Sequence, residues 1–294
     1  MSKSDLKNMK WYRTLGLAIA VSVACAGAAS AQDSSEKNAN PPNFSPDKIT
    51  GWIAMNYGDR FISPSSGPGP VTDDPAYPFV SNETFRATGK QPTFHISDLN
   101  NPILQPWVKE ELRKRNQHIL SGEPGYSTQA SCLPLGVPAF LLHPVQPLYF
   151  IQTPKMVLMI NQENLDTRHI YLNVPHSEHV TPSWFGESVG HYEGDTLVVD
   201  TIGMNDKTYV DNFWTPHTDK LHVVERFRMI DGGKTLEANI QVEDTGAFTM
   251  KWNAIQRWRR VAQGPIFERS CAENPTNHFN QDMYPIPRAD MPDF

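Results

Sequence analysis

The sequence is short of cysteine and of basic charge, and it has no long apolar run beyond its N-terminus. Its 294 residues include three cysteines, 26 basic and 32 acidic residues. Without about 18 consecutive apolar residues, no internal transmembrane helix is expected. A net charge of −6 lacks the basic excess with which proteins neutralise nucleic-acid phosphates. We therefore expect neither a nucleic-acid partner nor stable membrane insertion.

Motifs of common cofactor sites are also missing. The chain has no G-x-G-x-x-G after a strand, no G-x-x-x-x-G-K-[ST] and no H-E-x-x-H. Residues 186–190 (GESVG) match G-x-S-x-G only superficially, because a strand rather than a helix follows them. The expectation is a protein without a cofactor and without an assigned metal.

The N-terminus has the pattern of an export signal. Four basic residues within residues 1–13 precede an apolar stretch at 15–24, and Ala29-Ser30-Ala31 fits the small-x-small cleavage pattern. Cleavage would leave Gln32 first and a mature net charge of −9. A membrane anchor and a lipoprotein acylated on Cys25 are the alternatives. We expect a periplasmic or secreted protein.

Two cysteines remain after such a cleavage, Cys132 and Cys271. In an oxidising compartment an even pair is most simply a disulfide. This bridge would close a loop of roughly 140 residues and contribute at most about 5 kcal/mol in the chain-entropy account. The alternative is a catalytic thiol, although Cys132 has no obvious base beside it in the sequence.

The composition changes along the mature chain. Residues 32–100 are rich in proline, serine, asparagine and glycine, which predicts an irregular arm with ordered anchors such as Trp52 and Phe61. A helix is predicted at about 105–120, with Pro106 in its first turn and Gly122 after its end. This helix would lead a β domain at 101–275, and residues 276–294 are expected to be an irregular tail. The 25 prolines oppose long helices, because proline lacks the N–H and clashes within a helix.

Apolar and polar residues alternate with a period of two through most of the second half of the chain. Short turn signals separate the alternating stretches, so the strands should pair mainly as antiparallel hairpins. Six or more such strands form a sandwich or a barrel. The fold class is therefore mainly β, an antiparallel barrel or sandwich of lipocalin-like character. The predicted strands are 155–161, 168–174, 196–202, 221–230, 235–243 and 248–258.

The alternation places two opposite charges on apolar faces. Glu225 alternates with Val223 and Phe227, and Arg168 alternates with Ile170. Buried charges must be paired or functional, because an isolated one is too costly. One interpretation is a buried salt bridge that sets the strand register. The other is a polar patch in an apolar ligand cavity, and the two are compatible.

Further candidates for acid/base chemistry lie beside these strands. His217 precedes the Glu225 strand, and Asp219 or Glu225 could orient its ring. Asp195 lies in a turn, and Asp200, which alternates with Val198, could face a cavity. An ordinary loop histidine is the alternative interpretation of His217.

One histidine pair has the spacing of metal ligands. His176 and His179 form an H-x-x-H pair between two prolines. Zinc would need a third ligand, such as His143, His217 or Glu187. The alternative is a pair of solvent-exposed loop histidines.

Several motifs together resemble a family of exported bacterial proteins without an assigned function. The resemblance covers roughly residues 102–275 and implies export and a β-rich body, with Arg168, His217 and Glu225 as positions of interest. This chain departs from the family pattern at 173–178, at Tyr192 and at Glu187, which suggests a specialised substrate. The motifs are CLPxGxP at 132–138, QTP at 152–154, EGDTLVVDT at 193–201, HTDxL at 217–221, ERF at 225–227 and CxEN at 271–274.

These observations lead to a functional hypothesis with open alternatives. The first is a periplasmic lyase, isomerase or hydrolase that uses cofactor-free acid/base chemistry on a small apolar or aromatic molecule. His217 and Glu225 would move protons and Arg168 would hold an anionic oxygen, with Asp195 and Asp200 as further candidates. The alternatives are a non-catalytic small-molecule-binding protein and an envelope interaction protein.

Overall fold

Nine β-strands close into a barrel in which each strand lies beside its neighbour in sequence and the last pairs with the first. The computed structural model describes residues 41–46, 50–55, 59–123, 132–142, 147–162, 166–262 and 266. The mainly β barrel predicted from the alternation is confirmed. Its strands are β1 Thr50–Ala54, β2 Leu148–Gln152, β3 Met156–Asn161, β4 Asp166–Leu172, β5 Glu187–Glu193, β6 Thr196–Ile202, β7 His222–Ile230, β8 Thr235–Glu243 and β9 Trp252–Ala262.

The part of the chain that the structure describes contains two α-helices, α1 Asn82–Thr88 and α2 Pro106–Leu120. The predicted helix corresponds to α2, which begins with proline in its first turn and buries Val108 and Leu112. The short helix α1 lies within the predicted arm. It begins where the Ser81 side chain accepts a hydrogen bond from the Thr84 N–H, and it ends at Gly89 in a left-handed conformation.

Side chains at every second position of the strands fill the barrel interior. Val223, Glu225 and Phe227 of β7 point inward with every second residue of β8, Leu236 to Val242. These inward faces agree with the sequence prediction. The predicted strand at 248–258 starts too early, because β9 begins at Trp252 and Met250 is exposed.

Strands β1, β2 and β5 were not recognised in the sequence. The position of β1 also changes the predicted domain organisation. Strand β1 lies within residues 32–100, where it pairs with β2 and β9 and closes the barrel. The barrel therefore begins before residue 101. Strand β5 escaped prediction because its inward positions are Ser188 and Gly190, which give no apolar alternation.

One strand pair in the described barrel is parallel. Strands β4 and β5 run in the same direction and pair over three residues, with Ile170 opposite Ser188. The connection between them, residues 173–186, must return along the outside of the barrel. We call this segment the crossover. Gly186 ends it with φ +63°, and a Cβ there would lie 2.3 Å from the Ile202 carbonyl oxygen, so only glycine fits this entry to β5.

Several expectations fall on residues that the structure does not describe. The signal segment 1–31, the tail 276–294 and Cys271 lie outside the described residues. Cys132 lies inside them but Cys271 does not, so the pairing Cys132–Cys271 stays a prediction. No helix among the described residues is long and apolar enough to span a membrane.

Candidate functional site

A charged pair lies inside the barrel, as the alternation predicted. The Arg168 guanidinium donates to both carboxylate oxygens of Glu225, at 2.9 and 2.5 Å. Both side chains are fully buried. The two residues lie on strands that are not neighbours, because β5 and β6 lie between β4 and β7. Each intervening strand contributes a hydroxyl: Nε donates to Ser188 Oγ at 3.1 Å and a terminal nitrogen donates to Thr201 Oγ1 at 2.8 Å.

This network supports the first interpretation of the buried charges, a salt bridge that sets the strand register. Four consecutive strands, β4 to β7, each place one polar side chain in it. Arg168 directs its hydrogen bonds to protein groups, and neither charge reaches solvent. The geometry is that of a structural ion pair that joins strands across the barrel. It does not present Arg168 to an anionic ligand or Glu225 to a reacting proton.

His217 lies in the loop before β7, as its place in the sequence indicates, but its side chain is buried rather than open to a ligand. Its Nδ1–H donates to the Thr218 carbonyl at 2.9 Å, and Thr208 Oγ1 lies 2.8 Å from Nε2 and donates to it. Neither Asp219 nor Glu225 orients the ring. Burial lowers the pKa of His217 below its usual value, although the Thr218 carbonyl opposes this shift. The neutral ring therefore connects two loop segments.

The two aspartates do not share a cavity with these residues. Asp195 lies in the exposed turn between β5 and β6, where Thr196 Oγ1 donates to it at 3.1 Å. Asp200 lies on the outer face of β6 and not in a cavity, because the inward positions of that strand are Leu197, Val199 and Thr201. The five predicted catalytic residues thus occupy three separate environments.

Asp200 belongs instead to a chain of imidazoles and carboxylates on the outside of the barrel. His176 Nδ1 lies 3.0 Å from Glu187 Oε1, and His176 Nε2 lies 2.9 Å from Asp200 Oδ1. His222 Nε2 lies 3.0 Å from the same Asp200 oxygen. We call this group the outer cluster, and Glu243 extends it with a carboxylate oxygen 4.0 Å from His222 Nδ1.

Contacts within the outer cluster and with Ser177 shift the pKa values of His222, Asp200 and Glu187. The hydrogen bond to Asp200 raises the pKa of His222 above its usual value. Hydrogen bonds from His222 and then His176 lower the pKa of Asp200. The pKa of Glu187 is lowered mainly by the Ser177 hydroxyl and backbone N–H. Among the described residues, no group of three or more His, Cys, Asp or Glu side chains is arranged to hold a metal ion.

A surface groove of about 490 Å³ opens where β4 and β5 diverge. Its floor is the outer face of β4, and the crossover forms its opposite wall. Ser188, whose buried hydroxyl accepts a hydrogen bond from Arg168 inside the barrel, is also among the residues that line the groove. His179 faces this groove, whereas His176 turns toward the outer cluster. The groove is lined by Pro134, Thr167, His169, Tyr171, Ser177, His179, Val180, Thr181, Ser183, Trp184, Phe185, Gly186, Glu187 and Ser188.

The groove was not recognised in the sequence. The alternation of β4 places His169 and Tyr171 outward, opposite Arg168 and Ile170, and this signal was available. However, an outward position does not show whether another segment covers it. The crossover has no periodic pattern, so its contribution of Trp184 and Phe185 could be found only in three dimensions.

Comparisons with protein-family models, with curated proteins and with solved structures find no match for this chain. The resemblance to an exported bacterial family therefore stays a prediction. The functional argument depends on the geometry of the described residues.

We expect Arg168→Met and Glu225→Leu each to lower the free energy of unfolding by about 3–5 kcal/mol, because each leaves one buried charge unpaired. The double variant should regain most of that loss, since no charge remains buried. Urea unfolding would measure these values. The matched control is Glu193→Gln, which breaks the exposed 2.6 Å pair with Arg226 and should cost about 1 kcal/mol or less. A single variant as stable as the wild type would contradict the structural assignment.

We expect His217→Ala to lower the free energy of unfolding by about 1–3 kcal/mol, because it removes two buried hydrogen bonds. In the wild type, the lowered folded pKa means that the unfolded chain binds the proton first as the pH falls. The contribution of His217 to stability should therefore be lost as the pH falls from about 6.5 through the folded pKa. His118→Ala, at an exposed helix position, is the control and should change stability by about 0.5 kcal/mol or less. Equal losses in both variants would refute this role.

Proposed function

We propose that this protein binds a small, largely aromatic molecule in the groove between β4 and the crossover. The single observation that carries the proposal is the groove itself, which combines aromatic walls with a few polar groups. Tyr171, Trp184 and Phe185 line it together with two histidines, His169 and His179. Its volume of about 490 Å³ lies within the range of small-molecule sites.

The lining supports an aromatic ligand with limited charge. No lysine or arginine is among the described residues that line the groove, so a strongly anionic ligand would find no permanent cation. The Glu187 carboxylate already accepts hydrogen bonds from His176 and Ser177. Aromatic side chains favour offset or edge contacts with a planar ligand, and an imidazole can donate to or accept from a ligand oxygen.

An acid/base enzyme is the second candidate, and one observation favours it. The imidazole rings of His169 and His179 are exposed in the groove, and neither ring makes a hydrogen bond to another described residue. Free imidazoles of this kind can act as general acid or base. This candidate replaces the originally expected roles of His217, Glu225 and Arg168 with residues that a ligand can reach. Mass spectrometry of the bound compound after incubation separates the candidates, because a binding protein returns the compound unchanged.

We further propose that the protein is exported to the periplasm or secreted and acquires a disulfide there. The basic start, the apolar stretch and the Ala29-Ser30-Ala31 pattern support export. The two cysteines that remain after cleavage support the bridge between Cys132 and Cys271. The resemblance to an exported family points the same way.

We expect a Tyr171→Ala variant to lose affinity for an aromatic ligand by roughly tenfold, because a stacking surface of the groove is removed. Indole, 2-naphthol, 4-hydroxybenzaldehyde and benzoate would be screened by saturation-transfer NMR, and calorimetry would give Kd. Tyr77→Ala is a matched control, since Tyr77 is 46% exposed against 49% for Tyr171 but does not line the groove. Equal losses for both variants, or chemical-shift changes away from the groove, would contradict the proposed site.

We expect the mature protein to begin at Gln32 and to contain a Cys132–Cys271 bridge. Intact-mass and non-reducing peptide mass spectrometry of the protein from the producing cells would measure both features. An intact Met1 or an acylated Cys25 would refute the cleavage. Two thiols that react readily with iodoacetamide in the native protein would refute the bridge.

A further inference from the structure

The crossover that forms one wall of the groove is attached to the barrel in two different ways. At its C-terminal part, backbone groups make the attachment: Ser183 N–H donates to the Gly203 carbonyl at 3.0 Å, and Asn205 N–H donates to the Ser183 carbonyl at 2.8 Å. At its start, the Asn173 N–H donates to the Gly190 carbonyl at 2.8 Å. Between these points the attachment depends on side chains.

Within residues 174–182, His176 and Ser177 make the hydrogen bonds that the structure shows to the barrel. His176 contacts Glu187 at 3.0 Å and Asp200 at 2.9 Å. Ser177 donates to Glu187 from its backbone N–H at 2.7 Å and from its hydroxyl at 2.5 Å. Ser177 and Glu187 also line the groove. The groove wall and the outer cluster are therefore joined through the same carboxylate.

We propose that His176 is a positioning residue of the groove, which holds the crossover against β5 and β6 through Glu187 and Asp200 and makes ligand binding there dependent on pH. The inference rests on the proposed function for its ligand readout. The attachment of the crossover can be measured without any ligand.

The hydrogen-bond geometry of His176 gives the proposal its pH dependence. Both ring nitrogens face carboxylate oxygens, which can only accept hydrogen bonds. A neutral imidazole has one N–H, so both bonds form together only on the imidazolium. Loss of one proton removes one of the two attachments. A charge-assisted bond is among the stronger ones in proteins, so this loss weakens the hold on the crossover.

The charges around His176 determine how the attachment of the crossover changes with pH. Glu187 on β5, Asp200 on β6 and Glu243 on β8 supply negative charge, while His222 on β7 and Lys251, 2.6 Å from Glu243, supply positive charge. The lowered pKa values of Glu187 and Asp200 keep both carboxylates ionised in weak acid. The raised pKa of His222 keeps that ring charged beside Asp200.

The attachment should therefore be complete in a window of weakly acidic pH. It weakens as the pH falls through the lowered carboxylate pKa values, because a protonated carboxyl no longer pairs with the imidazolium. It also weakens at higher pH, because a neutral imidazole has one N–H and can donate to only one of the two carboxylates. Affinity in the groove should decrease on both sides of this window.

The test compares His176→Gln with His191→Gln in the full-length protein. His191 is a suitable control, because it lies on the outer face of β5 and pairs with Glu193 at 3.1 Å, outside both the outer cluster and the groove. Hydrogen exchange of the backbone amides in residues 174–182 is measured for wild type and both variants between pH 5 and 9. Affinity for the uncharged panel compound that binds the wild type most tightly is measured over the same range.

We expect His176→Gln to speed exchange in residues 174–182 by roughly tenfold at weakly acidic pH, after correction for intrinsic rates, and to weaken binding by a similar factor. The pH dependence of both quantities should flatten. His191→Gln should stay within about twofold of the wild type. Unchanged exchange and an unchanged pH profile in His176→Gln would overturn the proposal.

The two readouts separate the proposals. If no panel compound binds the wild type at any pH, the proposed function fails, and the exchange rates alone decide whether His176 holds the crossover. If a compound binds with the same Kd and pH profile to wild type and His176→Gln, the groove function stands and the positioning role of His176 is refuted.

Discussion

The interior of this barrel contains a full positive charge, and the pairing of that charge constrains the strands around it. An unpaired guanidinium in an apolar core would cost far more than a small domain can compensate. Glu225 supplies the opposite charge, and Ser188 and Thr201 accept the remaining hydrogen bonds. A one-residue slip of β4 or β7 would turn its charged side chain outward and leave the other charge unpaired, and a slip of β5 or β6 would remove a hydroxyl acceptor. The ion pair is thus a strong determinant of register across β4 to β7.

The parallel pairing of β4 and β5 determines where the groove lies. Strand β5 contributes Ser188 to the interior while it runs parallel to β4 for only three residues. The crossover must return along the outer face to reach the start of β5, and in doing so it leaves a space beside the outer side chains of β4. The polar interior and the surface groove therefore meet at one residue, since Ser188 contacts Arg168 and also lines the groove.

Ionisable groups inside and outside the barrel have different roles because their environments differ. Arg168 and Glu225 are both enclosed, so any change that removes one of the two charges leaves the other buried and unpaired at a large energetic cost. The outer cluster is partly solvated, and its contacts raise the pKa of His222 and lower the pKa of Asp200. The partly solvated outer cluster can respond to a change of pH at moderate energetic cost. The enclosed Arg168–Glu225 pair can only stabilise the fold.

The sequence by itself determined the secondary structure of most strands and the inward positions of Arg168 and Glu225. Side-chain period is a local property of a strand, so it can be read without knowledge of the neighbours. It did not determine which strands lie beside each other, and it missed β5 because Ser188 and Gly190 occupy inward positions. Only the tertiary structure buried His217, placed Asp200 beside His176 and His222, and brought the crossover over Tyr171. These contacts join residues from different strands and loops, and their distances depend on the path of the whole chain rather than on any local pattern.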